Sequence, residues 1–350
     1  MFLTSINLTN FRNFKKKTFS FVPAVTSIVG DNTKGKTSIC EAIFYLASGK
    51  SFRADKDNEV ISWGEEIGRV SAKCEVNSTK PDEQEFLEII FTDRKQFLVN
   101  GVGKRMVDFA GNLKAVLFRP EDMDLIIGSP SLRRRYLDFV LIQTDREYRR
   151  AVISYEKGVR QRNRLLEKIR DEAAYANASA SQGGMRNQLL FWDQLLIKNG
   201  NYISNKRAEY IEYINGKEKN LGNYEAIYDD SQISTARLEQ YLEAEIASGN
   251  TLIGPHRDDF KIELRERDLA VFGSRGEQRL AVLWLKLCEL SFIREKSGER
   301  PILLLDDIFS ELDHKHRDLV FEIMDNQQTI VTSADPHLIQ NGVEMEIIRL

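Results

Sequence analysis

Gly30-Asp31-Asn32-Thr33-Lys34-Gly35-Lys36-Thr37 sets four residues between two glycines and ends on a lysine and a hydroxyl. This spacing suits a polyphosphate. Glycines let successive backbone N–H groups converge on one anion, the ammonium adds a point charge, and the hydroxyl can join the oxygen shell of a hard divalent cation. Gly30 to Thr37, with Ser38 beside them, are therefore candidate ATP-binding residues, Lys36 reaching the β and γ phosphates and Thr37 ligating Mg²⁺.

Such a site needs a carboxylate at the end of a neighbouring strand, and Ile302-Leu303-Leu304-Leu305-Asp306-Asp307 offers two. Four apolar residues bury the strand, so Asp306 emerges at its C-terminal edge, where α/β folds place ligands. Asp306 is the candidate Mg²⁺ residue; Asp307 points to the opposite side and is the candidate catalytic group that polarises an attacking water. Gly273-Ser274-Arg275-Gly276-Glu277-Gln278-Arg279 precedes the run LAVLWLKLCELSFI. A serine and a glycine at a helix start present donors to an anion, or simply cap the helix.

The elements that carry these groups follow from hydrophobic period. AVTSIVG reads as a strand ending at Gly30, and Ile39, Ala42, Ile43 and Leu46 fall on one helical stripe. Residues 68–99 alternate, and Asn100-Gly101 suits a type I′ hairpin turn. The apolar runs at 302–306, 329–333 and 345–350 predict parallel strands buried on both faces. Between about 131 and 248, long Arg-, Lys-, Glu-, Leu- and Tyr-rich stretches, broken by the Gly/Ser/Ala segment 176–184, predict helices. The expected class is α/β: a head with mixed sheets over 1–125 and 251–350, and an inserted, mainly helical second domain over 126–250.

Composition bounds the alternatives. At 350 residues, 42% hydrophobic and 29% charged, the chain is neither fibrous nor disordered and is long enough for two domains. MFLTSINLTNFRNFKKKTFSF lacks a long apolar run, so no membrane span or signal peptide is expected, and the default location is cytoplasmic. Cys40, Cys74 and Cys288 are odd in number and far apart, as reduced packing residues would be. The net charge of -3 hides an asymmetry, for Arg133 to Arg170 hold 12 Lys or Arg against 5 Asp or Glu. Local positive charge on an acidic chain points to a polyanion, with nucleic acid the leading candidate. Arg133, Arg134 and Arg135 are the candidate DNA-binding residues; the competing reading is salt bridging to Asp138 or nearby acids.

Taken in order, the motifs resemble those of the ABC ATPase superfamily, with Ser274, Arg275 and Gly276 as the signature and Ser310-Glu311-Leu312-Asp313 as the D-loop. An interrupted head of this kind resembles SMC and Rad50-like proteins. Closer still, the chain resembles the RecF family of bacterial recombination and repair ATPases along essentially its whole length. The residues that carry this are Asn10-Phe11-Arg12-Asn13-Phe14, Gly49-Lys50-Ser51-Phe52-Arg53, Arg119-Pro120-Glu121-Asp122, Gly128-Ser129-Pro130, Arg133 to Asp138 and Gly254-Pro255-His256-Arg257-Asp258-Asp259.

The resemblance implies an ABC-type P-loop ATPase head using ATP and Mg²⁺, with Arg12 in the ATP-binding set and Ser310 and Asp313 in the D-loop. It implies an ATP-dependent homodimer in which one subunit's signature covers the γ-phosphate held by the other, and slow, DNA-stimulated hydrolysis. The implied partners are double-stranded DNA, single-strand/double-strand junctions, RecR and RecO, in recombinase loading. Thr33 and Lys34 depart from the family pattern, as does Glu277, which stands where Gln is usual. The switch histidine is absent at Thr332-Ser333, with His337 beyond it. The alternatives are a transporter's cytosolic ATPase subunit, an SMC-type clamp, or a nuclease carrying an ATPase head; the last lacks a metal-ligand cluster in the sequence.

Overall fold

The computed structural model describes residues 1–75, 84–174, 182–217, 221–310, 314–324, 326–334 and 345–350. The chain divides into two compact units, Met1–Met123 with Ile142–Thr144 and Val282–Leu350, and Asp124–Leu141 with Asp145–Ala281.

The first unit begins with β1 (Phe2–Phe11), β2 (Phe14–Ser20), β3 (Val25–Val29) and α1 (Lys36–Ser48). It continues with β4 (Gly68–Glu75), β5 (Gln84–Phe91), β6 (Gln96–Val99), β7 (Val102–Lys104), α2 (Met106–Phe109) and β8 (Ala115–Phe118). Six of these strands form an antiparallel sheet in the order β2-β1-β4-β5-β6-β7. Val70, Ala72 and Cys74 and then Leu87, Ile89 and Phe91 alternate into its buried face, as period two requires. On β1 the parity slips between buried Leu3 and Ile6, where the pairing with β4 carries a register shift. Asn100 and Gly101 join β6 to β7 with φ of 51° and 76°, the left-handed pair that the sequence implied.

The second unit contains α3 (Asp124–Ile127), α4 (Pro130–Thr144) as far as Leu141, α5 (Arg146–Ala174), α6 (Gln182–Asn215), β9 (Tyr224–Asp229), α7 (Thr235–Ser248), β10 (Asp259–Leu264), β11 (Arg267–Asp268), α8 (Leu269–Phe272) and the start of α9 (Arg275–Ser297). Residues 176–181 of the expected helical break lie outside the described residues. Leu165, Leu166, Ile169 and Leu189 form a core with Trp192, Leu242 and Ile246 against it, so α5, α6 and α7 share one apolar centre. Gly158 permits the close approach of α5 and α6: a Cβ there would stand 2.8 Å from Leu195 and 2.9 Å from Leu196.

This unit opens close to the expected residue 126 but runs to Ala281 rather than closing at 250. The sequence was misleading because a β-hairpin shows the same alternation whichever core it packs against. Here β10 pairs with β9 and β11 in a three-stranded antiparallel sheet, which holds the hairpin and the signature turn in the second unit.

The chain returns to the first unit with β12 (Ile302–Asp306), α10 (His314–Met324), β13 (Thr329–Ser333) and β14 (Met345–Arg349). These strands and two earlier ones form an all-parallel sheet in the order β14-β3-β13-β12-β8. Every residue of β12 and β13 is buried, as expected for 302–306 and 329–333, whereas β14 lies at the sheet edge with Glu346, Ile347 and Arg349 exposed, so 345–350 is not buried on both faces. α1 contacts strands of both sheets and is buried almost all round, not along one stripe. No described helix is long and apolar enough to cross a membrane.

Candidate nucleotide site

In the parallel sheet Thr332 stands opposite both Ile28 and Asp306, so the loop that leaves β3 at Gly30 and the carboxylate that ends β12 lie at the same C-terminal edge. A cleft of about 660 Å³ opens there, within the range of small-molecule sites. Asn32, Thr33, Gly35, Lys36, Thr37 and Ser38 line it together with Arg12, Asp306 and Asp307. Gly30, Asp31 and Lys34 complete the loop behind this lining.

The loop is held in shape before any phosphate is considered. Gly35 has φ 101°, and a Cβ there would meet the Asn13 amide at 2.6 Å and the Phe14 ring at 2.7 Å. The same Asn13 side chain donates to the Lys34 carbonyl at 3.0 Å. Lys36 is buried and donates to the carbonyls of Gly30 (2.6 Å) and Asp31 (3.0 Å), which fixes its ammonium inside the loop. Thr33 takes φ 73°, the strained alternative for a β-branched side chain.

Asp306 is buried, with Thr332 donating to it through its hydroxyl at 2.7 Å and Thr37 doing the same. Burial raises its pKa, and the two hydroxyl bonds offset only part of that. Among the described residues no cationic side chain pairs with it. A buried carboxylate beside the loop hydroxyl, lacking its own cation, is a hard-oxygen set that fits Mg²⁺; Thr37 and Asp306 would hold the ion, which would neutralise phosphate charge.

Asp307 follows in the left-handed region at φ 55°, so its side chain departs from the strand direction into the cleft. Its N–H donates to the backbone oxygen and the hydroxyl of Thr332, both at 3.2 Å. Thr332 therefore ties the two acids together, a role hidden in the sequence because it depends on β13 lying beside β12.

Arg12 lines the cleft, but its charge is matched. It makes a two-pronged pair with buried Glu41 at 2.7 and 2.6 Å and donates to the Glu59 carbonyl at 2.8 Å. The Ser51 hydroxyl also donates to Glu41. Arg53, Glu59, Ile61 and fully exposed Trp63 complete the wall, and none of the last three belongs to a motif that sequence alone distinguishes.

The signature residues lie in the second unit. Ser274 precedes α9, its N–H and hydroxyl both donating to the Glu277 carboxylate at 2.8 Å while the Glu277 N–H returns a bond at 3.3 Å. This is a capping box, and the Ser274 bonds lower the Glu277 pKa. Arg275 is exposed, and a Cβ on Gly276 would meet nothing within 4 Å. Ser310 ends a short 3-10 turn; Asp313 and His337 lie outside the described residues.

The arginines of the triplet have partners inside the second unit. Arg133 pairs with Asp259 at 2.6 and 2.9 Å and donates to the Gly128 carbonyl at 2.7 Å, and Arg134 donates to the Asp258 carbonyl at 2.8 Å. Arg135 lies against the Phe139 ring. The Gly254 to Asp259 segment, distant in sequence, brings the Asp259 carboxylate to Arg133 and the Asp258 backbone carbonyl to Arg134. The salt-bridge reading describes Arg133, with Asp259 as the partner in place of Asp138.

All three cysteines are buried free thiols. Among the described residues no other His, Cys, Asp and Glu cluster could hold a metal.

The RecF/RecN/SMC N terminal domain family matches residues 2–349. The chain is 34% identical to the DNA replication and repair protein RecF of Herpetosiphon aurantiacus, over 96% of this chain and 94% of that protein. This chain belongs to the RecF family. A solved structure of the recombination mediator protein RecF-ATP in the RecFOR pathway superposes with a TM-score of 0.84 at 30% identity, over 98% of this chain and 93% of that one. The Smc head domain from Pyrococcus furiosus, at TM-score 0.51 and 16% identity over 98% and 92%, shares the fold. The head is thus of the ABC-like type that the motifs implied, and the end-to-end match to RecF proteins favours that family over a transporter subunit.

Proposed function

We propose that this RecF-family protein is a MgATP-dependent DNA-binding ATPase of recombinational repair and replication-fork maintenance. The observation that carries the reading is the convergence of Lys36, Thr37, Asp306 and Asp307 on one cleft at the C-terminal edge of the parallel sheet. Its match to a RecF-ATP structure supports ATP as the occupant.

ATP is held by the loop amides and Lys36, and Asp307 orients the attacking water. Two copies pair with ATP between them, the Ser274 turn of one covering the γ-phosphate held by the other. Ser274 then exchanges its bonds to Glu277 for bonds to phosphate, so this departure weakens the closed pair relative to a glutamine. Charge-assisted contacts to the γ-phosphate exist only before hydrolysis, so hydrolysis removes the preference for the dimer. The dimer holds double-stranded DNA near gaps and single-strand junctions, DNA accelerates a slow ATPase, and RecO and RecR join in loading the recombinase in the cytoplasm.

Mixing tests the shared site. Lys36→Ala and Ser274→Arg subunits, each inactive alone, should together recover up to about a quarter of wild-type turnover, because half of randomly formed pairs keep one intact site of two. No recovery would remove the arrangement across two subunits.

A further inference from the structure

α5 carries two kinds of cation. Arg162 is fully buried and paired with Asp193 at 2.6 Å and Glu245 at 2.7 Å. Arg146, Arg150, Lys157, Arg160, Arg164 and Lys168 are exposed, and with half-exposed Ile153 they recur every three or four residues, which puts them on one face of the helix. Lys157, Arg160, Arg164 and Lys168 have no ion pair among the described residues, and the Arg150–Glu147 contact is 3.4 Å between two mostly exposed groups. Glu167 and Asp171 close the far end of the stripe.

We propose that this stripe is the track along which the protein holds a nucleic-acid duplex by its phosphates. The inference rests on the functional reading above and moves the contact from Arg133, Arg134 and Arg135 to α5. From Arg146 to Lys168 the helix rises about 33 Å, close to one turn of B-form duplex at about 34 Å. Like charges at this spacing repel one another along a helix, so the fold gains nothing from them without a polyanion. Glu147, Glu156 and Glu167 stand along the same stretch, yet among the described residues none of them pairs with Lys157, Arg160, Arg164 or Lys168, as a face laced with ion pairs would require. An anionic membrane fits less well: the apolar side of α5 is already packed around Leu165, Leu166 and Ile169, leaving only Ile153 to insert. Binding through phosphates carries no base sequence.

The test compares the full chain with its Lys157→Gln/Arg160→Gln/Arg164→Gln variant, both with MgATP, on a gapped duplex and on anionic phospholipid vesicles across a salt series. The variant should bind duplex at least tenfold more weakly, with the slope of log affinity on log salt shallower by about 2 to 3, close to one for each phosphate no longer neutralised. Its thermal midpoint should not fall, because the substitution relieves repulsion, and this separates weakened phosphate binding from unfolding. Equal affinity and equal slope overturn the stripe, as does binding to vesicles but not to duplex. A wild type that pairs with ATP yet ignores duplex overturns the stripe and leaves the ATP switch standing; a chain that does not pair with ATP breaks the functional reading whatever α5 does.

Discussion

Two Asp-Asp pairs invite comparison, Asp306-Asp307 at the end of β12 and Asp258-Asp259 at the start of β10. Asp258 is fully buried and accepts from Arg207 (3.1 Å), Ser204 (3.1 Å), the Ser231 N–H (2.8 Å) and the Tyr228 hydroxyl, while Asp259 takes the Arg133 guanidinium. Among the described residues Asp306 accepts only from the hydroxyls of Thr37 and Thr332, and Asp307 lines the cleft with a left-handed backbone. Where arginine meets every carboxylate, the charge is spent inside the fold and the motif is architecture. Where hydroxyls alone meet a buried acid, the missing positive charge must come from a ligand, and the motif is a site.

The largest expected effect is at the saturated pair. Asp258→Ala removes one of the two carboxylates on the buried Arg207 guanidinium, leaving Asp138 at 2.8 Å, and takes the acceptor from Ser204, the Ser231 N–H and Tyr228; it should cost about 3–5 kcal/mol of stability in a denaturant titration. A drop below about 1 kcal/mol would show that this cluster does not hold the second unit together.

The second effect is acid sensitivity from the same region. His256 bonds Tyr155 through Nδ1 at 2.8 Å and the Thr251 carbonyl through Nε2 at 3.0 Å, and burial lowers its pKa to about 4. Unfolded histidine titrates near 6.5. Between these values the unfolded chain binds more protons, so stability should fall by about 3 kcal/mol as pH drops from about 6.5 to about 4. His256→Gln should flatten that part of the profile of unfolding midpoint against pH.

At Asp306 the sign reverses. The raised pKa of Asp306 means that its ionised form opposes folding above the ordinary carboxylate range. Asp306→Asn should therefore raise the thermal midpoint without nucleotide at pH 7, with the gain shrinking as pH falls toward that range, while Mg²⁺-dependent ATP hydrolysis is abolished. A lower midpoint would mean that Asp306 is as structural as Asp258. The smallest effect is Thr33→Gly, which releases about 1–2 kcal/mol of left-handed strain and returns about 0.5–1 kcal/mol to chain entropy. The net gain, between zero and about 1.5 kcal/mol, is readable by calorimetry, alongside ATP affinity.

The sequence by itself determined the loop from Gly30 to Thr37, the buried strand that delivers Asp306 and the Asn100-Gly101 turn. Each is set by local sterics and by hydrophobic period, which neighbouring residues encode together. Only the tertiary structure decided that the hairpin around β10 belongs with the inserted helices, that Thr332 bridges Asp306 and Asp307, and that Arg133 and Arg134 are engaged by a segment more than a hundred residues away. The physical reason is that a charge is spent or available according to its neighbours in space, and a one-dimensional pattern reports composition and period but not which distant acid arrives to meet a given arginine.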